Sequence, residues 1–292
     1  MQTTAQSIRQ PDHPTASSFG PLLRSWRNSR KFSQLELAME ADISQRHLSF
    51  LELGRARPSR SMVLQLAETL DVPLRERNVM LQAAGFTPAY AQRGLDGEEM
   101  APVRNALSLM LKHHEPNPAV VIDKDWNVVM KNNAVERAFS AIGDLAAMWE
   151  ATCGDGPRNL LRFTFHPQGI RPFIANLDEL APIFLQRTYR EAVTTQNHDL
   201  LALLKEIAAW PDMPAAWLEP SLNTPPAPII PLVIDNGVIR ASLFTMISTF
   251  GTPQDITTDE LRIESYFPAD EQTAMLLNML AASGASASDQ NS

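Results

Sequence analysis

The chain has 292 residues, 44% hydrophobic and 20% charged, which is ordinary for a soluble globular protein and longer than one compact core usually is. No apolar run approaches the roughly 18 residues of a membrane-spanning helix and the first residues hold no signal-like apolar stretch, so a cytoplasmic protein without a membrane partner is expected. The net charge of −8 argues against a nucleic-acid partner only until it is divided: residues 1–95 hold 12 Lys and Arg against 8 Asp and Glu, whereas residues 96–292 hold 13 against 25.

Residues 1–17 are polar, contain Pro11 and Pro14 and show no apolar period, so they read as a disordered arm. Residues 18–86 carry a helical pattern, with helices predicted near 20–30, 33–40, 44–53, 60–70 and 73–84. The second opens on Ser33-Gln34-Leu35-Glu36, a capping box, and the third on Ser44, a good N-cap. Gly54 then supplies a left-handed helix end before the basic loop Arg55-Ala56-Arg57-Pro58-Ser59-Arg60. Residues 87–102 are polar and punctuated by Gly and Pro, as a linker would be.

From 103 to 281 the texture changes to a second domain. Residues 119–123 and 126–130 are β-rich runs joined at Lys124-Asp125, a plausible hairpin, followed by a helix near 134–139. The run 160–165 is ambiguous, and 177–193 and 198–210 read as amphipathic helices. Asn236-Gly237 between 229–234 and 238–250 is the strongest hairpin signal, read as a type I′ turn. A strand near 261–267, a helix near 274–280 and a disordered tail at 282–292 complete the chain. The expected class is α+β: an all-α five-helix helix-turn-helix domain, then an antiparallel sheet with helices.

The helices at 33–40 and 44–53, separated by Ala41-Asp42-Ile43, have helix-turn-helix spacing, in which the second enters the DNA major groove. Leu48 and Leu51 face inward, which leaves Gln45, Arg46 and Ser49 as the candidates for base edges. Ser33, Gln34 and Ser44 near helix N-termini and the cations Arg55, Arg57 and Arg60 are the candidate phosphate contacts. A small helical bundle with solvated arginines would show the same spacing.

The strings GPLLRSWR (20–27), SQLELA (33–38), SQRHLSFLELGR (44–55) and PS (58–59) resemble the Cro/C1-type (XRE) helix-turn-helix family. The resemblance implies that Arg27, late in the first helix, pairs with Glu52, which ends the recognition helix. Asp42 stands where Gly is frequent in that family, and Asp tolerates left-handed φ better than most residues. NVMLQAAGF (78–86), HEPNPAVVID (114–123), Trp126, Asn133-Ala134, TFGTP (249–253) and LRIESYFPAD (261–270) are similar to the MmyB-like regulators. That likeness implies a PAS-like C-terminal domain, an antiparallel sheet with helices over one face, that binds a small molecule.

Trp126, Phe139, Phe163, Phe165, Phe244 and Met246 are the candidate apolar lining of such a pocket, although a packed core would use the same side chains. Asn133, Arg162 and His166 are the candidate polar groups for one end of a ligand. The run His113-His114-Glu115 reads as solvated residues and not as a metal site, and the lone Cys153 reads as an ordinary thiol and excludes a disulfide framework. No phosphate loop, nucleophile elbow or metal spacing is present, so no enzyme, metal or required cofactor is expected. The expected partners are a double-stranded DNA operator, a second copy of the chain in a homodimer and an unidentified small, apolar effector. The alternative is a DNA-tethered protein whose C-terminal domain is an enzyme or a protein-only interaction module.

Overall fold

A computed structural model describes residues 19–214 and 229–289, in two compact units, 1–91 and 92–292. The expected arm at 1–17 lies outside the described residues.

The first unit consists of α1 (Phe19–Ser29), α2 (Gln34–Glu40), α3 (Gln45–Glu52), α4 (Arg60–Thr69) and α5 (Leu74–Ala83). The caps explain the boundaries. Ser33 Oγ accepts the Glu36 N–H at 3.1 Å while the Glu36 carboxylate accepts the Ser33 N–H at 2.7 Å, which is the expected capping box. Ser44 and Ser59 cap α3 and α4 by accepting the N–H of His47 and of Met62. Gly54, past the end of α3, takes φ 68°, and Asp42 in the α2–α3 turn takes φ 49°, so Asp fills the left-handed position as expected.

Leu23, Trp26, Leu37, Leu48, Leu51, Leu66 and Leu81 form the shared core of these helices. The start of α1 lies against the end of α3 so closely that a Cβ on Gly20 would sit 2.5 Å from the carbonyl oxygen of Glu52 and 2.7 Å from that of Leu51.

The second unit holds one antiparallel sheet built from β1 (Ala119–Ile122), β2 (Val128–Lys131), β3 (Leu232–Asp235), β4 (Arg240–Thr249) and β5 (Arg262–Pro268). Its strand order is β2-β1-β5-β4-β3. The helices are α6 (Ala101–His113), α7 (Asn133–Ser140), α8 (Leu145–Cys153), α9 (Leu160–Phe165), α10 (Leu177–Thr194), α11 (His198–Ala208), α12 (Ile256–Glu260) and α13 (Glu271–Asp289). The fold is thus α+β, a helical helix-turn-helix unit followed by a five-stranded antiparallel sheet with helices.

One face of the sheet presents Val120, Ile122, Leu243 and Tyr266 to a core completed by side chains of α7 to α11. On the other face Ala119, Val121 and Ile263 pack against Leu107 and Leu111 of α6. Helices therefore cover more than the single face expected. Coverage on both sides is why β1 is apolar without alternation.

Several local expectations change. The 87–102 stretch is docked: Asn78 Oδ1 accepts the N–H of Ala89 at 2.8 Å and of Tyr90 at 3.1 Å, while the Arg93 guanidinium reaches Asp255 at 3.0 Å and α6 starts at Ala101. The ambiguous run at 160–165 is helix, capped by Asn159. In the β3–β4 hairpin only Gly237 has positive φ (81°), so the turn is not type I′; Asn236 instead uses its side-chain oxygen to accept the N–H of Val238 and Ile239. The sequence places the start of the tail at 282, whereas α13 runs to Asp289.

Gly20→Ala should lower the stability of the helical unit by roughly 1–3 kcal/mol, since the new methyl group must push backbone aside. Thermal unfolding of the full chain followed by circular dichroism checks this, and an unchanged transition would mean that the α1–α3 approach is not tight.

Candidate functional site

The outward face of α3 is set from below by Glu52. Its side chain is fully buried and accepts from Arg27 Nε at 2.6 Å and Arg27 Nη2 at 3.1 Å, from Gln34 Nε2 at 2.8 Å and from Arg24 Nε at 3.3 Å. Arg27 also donates to the Phe32 carbonyl at 2.8 Å. Burial by itself would raise the Glu52 carboxyl, but the donors of Arg27, Gln34 and Arg24 outweigh it and hold the group below its ordinary value. The Arg27–Glu52 pairing that the resemblance implied is present, and it joins α1, α2 and α3 at one point.

With Leu48 and Leu51 held inside, Gln45 and Arg46 are exposed and Ser49 is half-buried on the opposite side of α3. The sequence reading missed Phe50 on this face: the Arg46 guanidinium lies 5.3 Å from the centre of its ring, one turn along. Its spacing of four from Arg46 is the signal in the sequence that places the two on one face of the helix.

The phosphate candidates divide. Arg55, Arg57 and Arg60 are exposed, and no described ion pair engages any of them. Ser33 and Ser44 use their oxygen as cap acceptors, which leaves each hydroxyl proton to donate elsewhere. Gln34 gives its amide N–H to Glu52, so its side chain helps to brace α3.

In the second unit the pocket candidates do not converge. Trp126, Phe139, Phe163 and Phe165 are buried in the core; Phe163 stacks on Trp149 with ring centres 4.1 Å apart and meets Phe139 edge-on at 5.3 Å. Phe244 and Met246 do not face that core: strand alternation puts them on the other side of β4 from Leu243 and Thr245. There Phe244 stacks on Phe267 and Met246 is 55% exposed.

Asn133 is exposed, and its neighbour Asn132 is the buried polar group, capping α7 and accepting the Ala119 N–H at 3.0 Å. Arg162 is engaged by Glu206 in a two-pronged ion pair, and His166 packs edge-on against Trp210, its pKa held down by burial and by Arg162. His114 bonds the Tyr266 carbonyl at 2.8 Å and Glu115 pairs with Arg137, and no cluster suited to a metal occurs among the described residues.

A different set does converge. Between the inner face of the sheet and α9–α10 lies a cavity of about 40 Å³ lined by apolar groups and by Thr164, Thr245, Glu264 and Tyr266. In the sequence Glu264 lies within LRIESYFPAD (261–270) and is not among the pocket candidates. The residue is 2% exposed, and its Oε2 is buried with no hydrogen-bond partner.

Residues 103–280 match the family model described as the MmyB-like transcription regulator ligand binding domain, and residues 23–77 match a helix-turn-helix model. These two units define a DNA-binding transcription regulator. The ligand-binding-domain match spans more than half of the chain, which therefore belongs to the MmyB-like transcription regulators.

Among solved structures, the chain is similar to the clp gene regulator ClgR from C. glutamicum at 26% identity over 27% of this chain and 96% of that one, with a TM-score of 0.22. It is also similar to an RNA-binding Light-Oxygen-Voltage receptor at 11% identity over 92% of this chain and 64% of that one, with a TM-score of 0.26. No curated protein matches it. No helix among the described residues is long and apolar enough to cross a membrane.

Burial pushes the Glu264 carboxyl up to about 7, against the opposing influence of Arg187 and the hydroxyls of Thr245 and Tyr266. The same group titrates near ~4.3 in an unfolded chain, so between those values the folded protein binds the extra proton. Its contribution to stability is full below the lower value and is lost as pH rises through the upper one. Glu264→Gln should remove about 3 kcal/mol of the decline in unfolding free energy between about pH 4 and about pH 8. Urea unfolding across that range checks this, and identical slopes for variant and parent would contradict it.

Proposed function

We propose that the protein is a one-component regulator that binds a DNA operator as a homodimer through α3 and changes its affinity when a small molecule occupies the C-terminal unit. The observation that carries the DNA part is the α3 face. Gln45 and Arg46 stand exposed on a helix whose opposite side is fixed by a buried ion pair, next to Arg55, Arg57 and Arg60, which no described acid neutralises.

In this reading α3 lies in the major groove. Gln45 offers the paired donor and acceptor that adenine matches, Arg46 the fork that guanine matches, and Ser49 adapts to either. Phe50 stiffens Arg46 from below and supplies an apolar surface suited to a thymine methyl. Backbone N–H groups at the starts of α2 and α3, with the hydroxyls of Ser33 and Ser44 and the three loop arginines, hold phosphates; Gln34 sits in the same row but acts chiefly through Glu52.

Dimerisation follows from the few base contacts that one such helix makes, since two half-sites are needed for useful discrimination. The sensor part is supported by the family of the C-terminal unit and by the cavity against the sheet. An effector acts only if it binds the DNA-competent and incompetent states unequally.

Selection of duplexes from a random pool by the full-length protein should return a palindrome with half-sites about 10 base pairs apart. On that operator Arg46→Ala should cost roughly 1–3 kcal/mol and relax one base position. Arg57→Ala should weaken all sequences alike and reduce the salt slope by about 1. Fluorescence anisotropy over a salt series measures both. Recovery of no consensus, or an Arg46→Ala variant that selects the same sequence as the parent, would overturn the assignment of α3.

A further inference from the structure

We infer that the Glu264 carboxylate is the polar anchor for a primary ammonium group carried on a short apolar body, bound in the cavity between the sheet and α10. This rests on the sensor reading above and names the chemistry of its ligand. Glu264 lies on β5 in the middle of the sheet, opposite Val120 of β1 and Ile247 of β4, and neither neighbour offers a donor side chain. Its Oε2 is buried and unpartnered although it borders a cavity. The hydroxyls of Thr245 and Tyr266 act on the carboxyl but leave Oε2 without a donor, and a buried carboxylate oxygen in that state calls for a group that donates a hydrogen bond and brings positive charge.

The rest of the wall fits that group. Tyr266 and Phe184 present aromatic rings, which attract a cation, and Thr245 adds a hydroxyl. Leu180 and Leu243 suit a short hydrocarbon body. The volume of about 40 Å³ admits a group the size of a few waters, such as an aminoalkyl end.

The charged and titratable groups facing Glu264 are few. Tyr266 stands two residues along β5, and its phenol is pushed well above its ordinary range by burial and by Glu264. Arg187 of α10 acts on the carboxyl only at a distance: its guanidinium lies 5.1 Å from the centre of the Phe184 ring and 5.9 Å from that of Trp126, and it forms no described ion pair with Glu264. Arg262, on the same side of β5, is engaged by Glu191 of α10 at 2.9 Å. No protein cation therefore occupies the place that the ammonium would take.

The test titrates the full-length protein with n-propylammonium, n-propanol and propionate by saturation-transfer NMR. Propylammonium should bind best, and its affinity should rise roughly tenfold from pH 6 to pH 8 as the carboxyl ionises. Glu264→Gln, which preserves shape and is checked for cooperative unfolding, should weaken propylammonium by roughly tenfold to a hundredfold. Leu180→Phe, which keeps the carboxyl and fills the space, should abolish binding. Propanol or propionate binding better than propylammonium, or propylammonium binding unaffected by Glu264→Gln, would overturn the ammonium assignment and leave the sensor reading standing. Failure of all three probes would mean that water alone fills the cavity and would also overturn the assignment; the sensor reading is then judged by whether any other small molecule alters operator affinity.

Discussion

The helical unit depends on one buried carboxylate. Glu52 ends α3, is wholly inside, and is held by the forked guanidinium of Arg27 and the amide of Gln34, so three helices are fixed to one another through two oxygen atoms. Such a pair gains little over an apolar replacement, but removing one member leaves a buried charge and costs about 3–5 kcal/mol. Its value is positional. It sets the rotation of α3 about its own axis, which decides that Gln45 and Arg46 point away from the core, and Gly20 allows α1 close enough for Arg27 to reach.

The sheet unit solves a different problem. Apolar side chains close both faces around β1, and α6 on one side and α7–α11 on the other make it a two-sided core. Within that core Glu264 is the exception, a carboxyl facing an incompletely filled space. Both carboxyls are buried, yet at Glu52 the donors of Arg27, Gln34 and Arg24 outweigh burial and hold the pKa below its ordinary value, whereas at Glu264 burial outweighs Arg187 and the hydroxyls of Thr245 and Tyr266 and pushes it up.

Much of the first unit was legible because its determinants are local. Caps at Ser33 and Ser44, the left-handed ends, and Leu48 and Leu51 facing inward are set within a few residues. The role of Gln34 was not, because its partner Glu52 is 18 residues away. In the sheet unit, alternation shows that Phe244 and Met246 share a face but not which face is inside. Helix α8 was overlooked because Leu145, Ala146, Ala147, Met148 and Trp149 are apolar all round and give no amphipathic period. Asn133 and Asn132 differ by one position, and only the helix start decides which is the buried cap. The sequence pattern did place Glu264 on one side of a strand with Tyr266, but whether that side meets a cavity depends on α9 and α10, which lie far earlier in the chain.

Guanine-methylation interference on the selected operator reads out the orientation of α3 in the groove. One guanine per half-site should block the parent protein when methylated at N7 and be tolerated by Arg46→Ala, with every other interference unchanged. Identical interference patterns for the two proteins would contradict it.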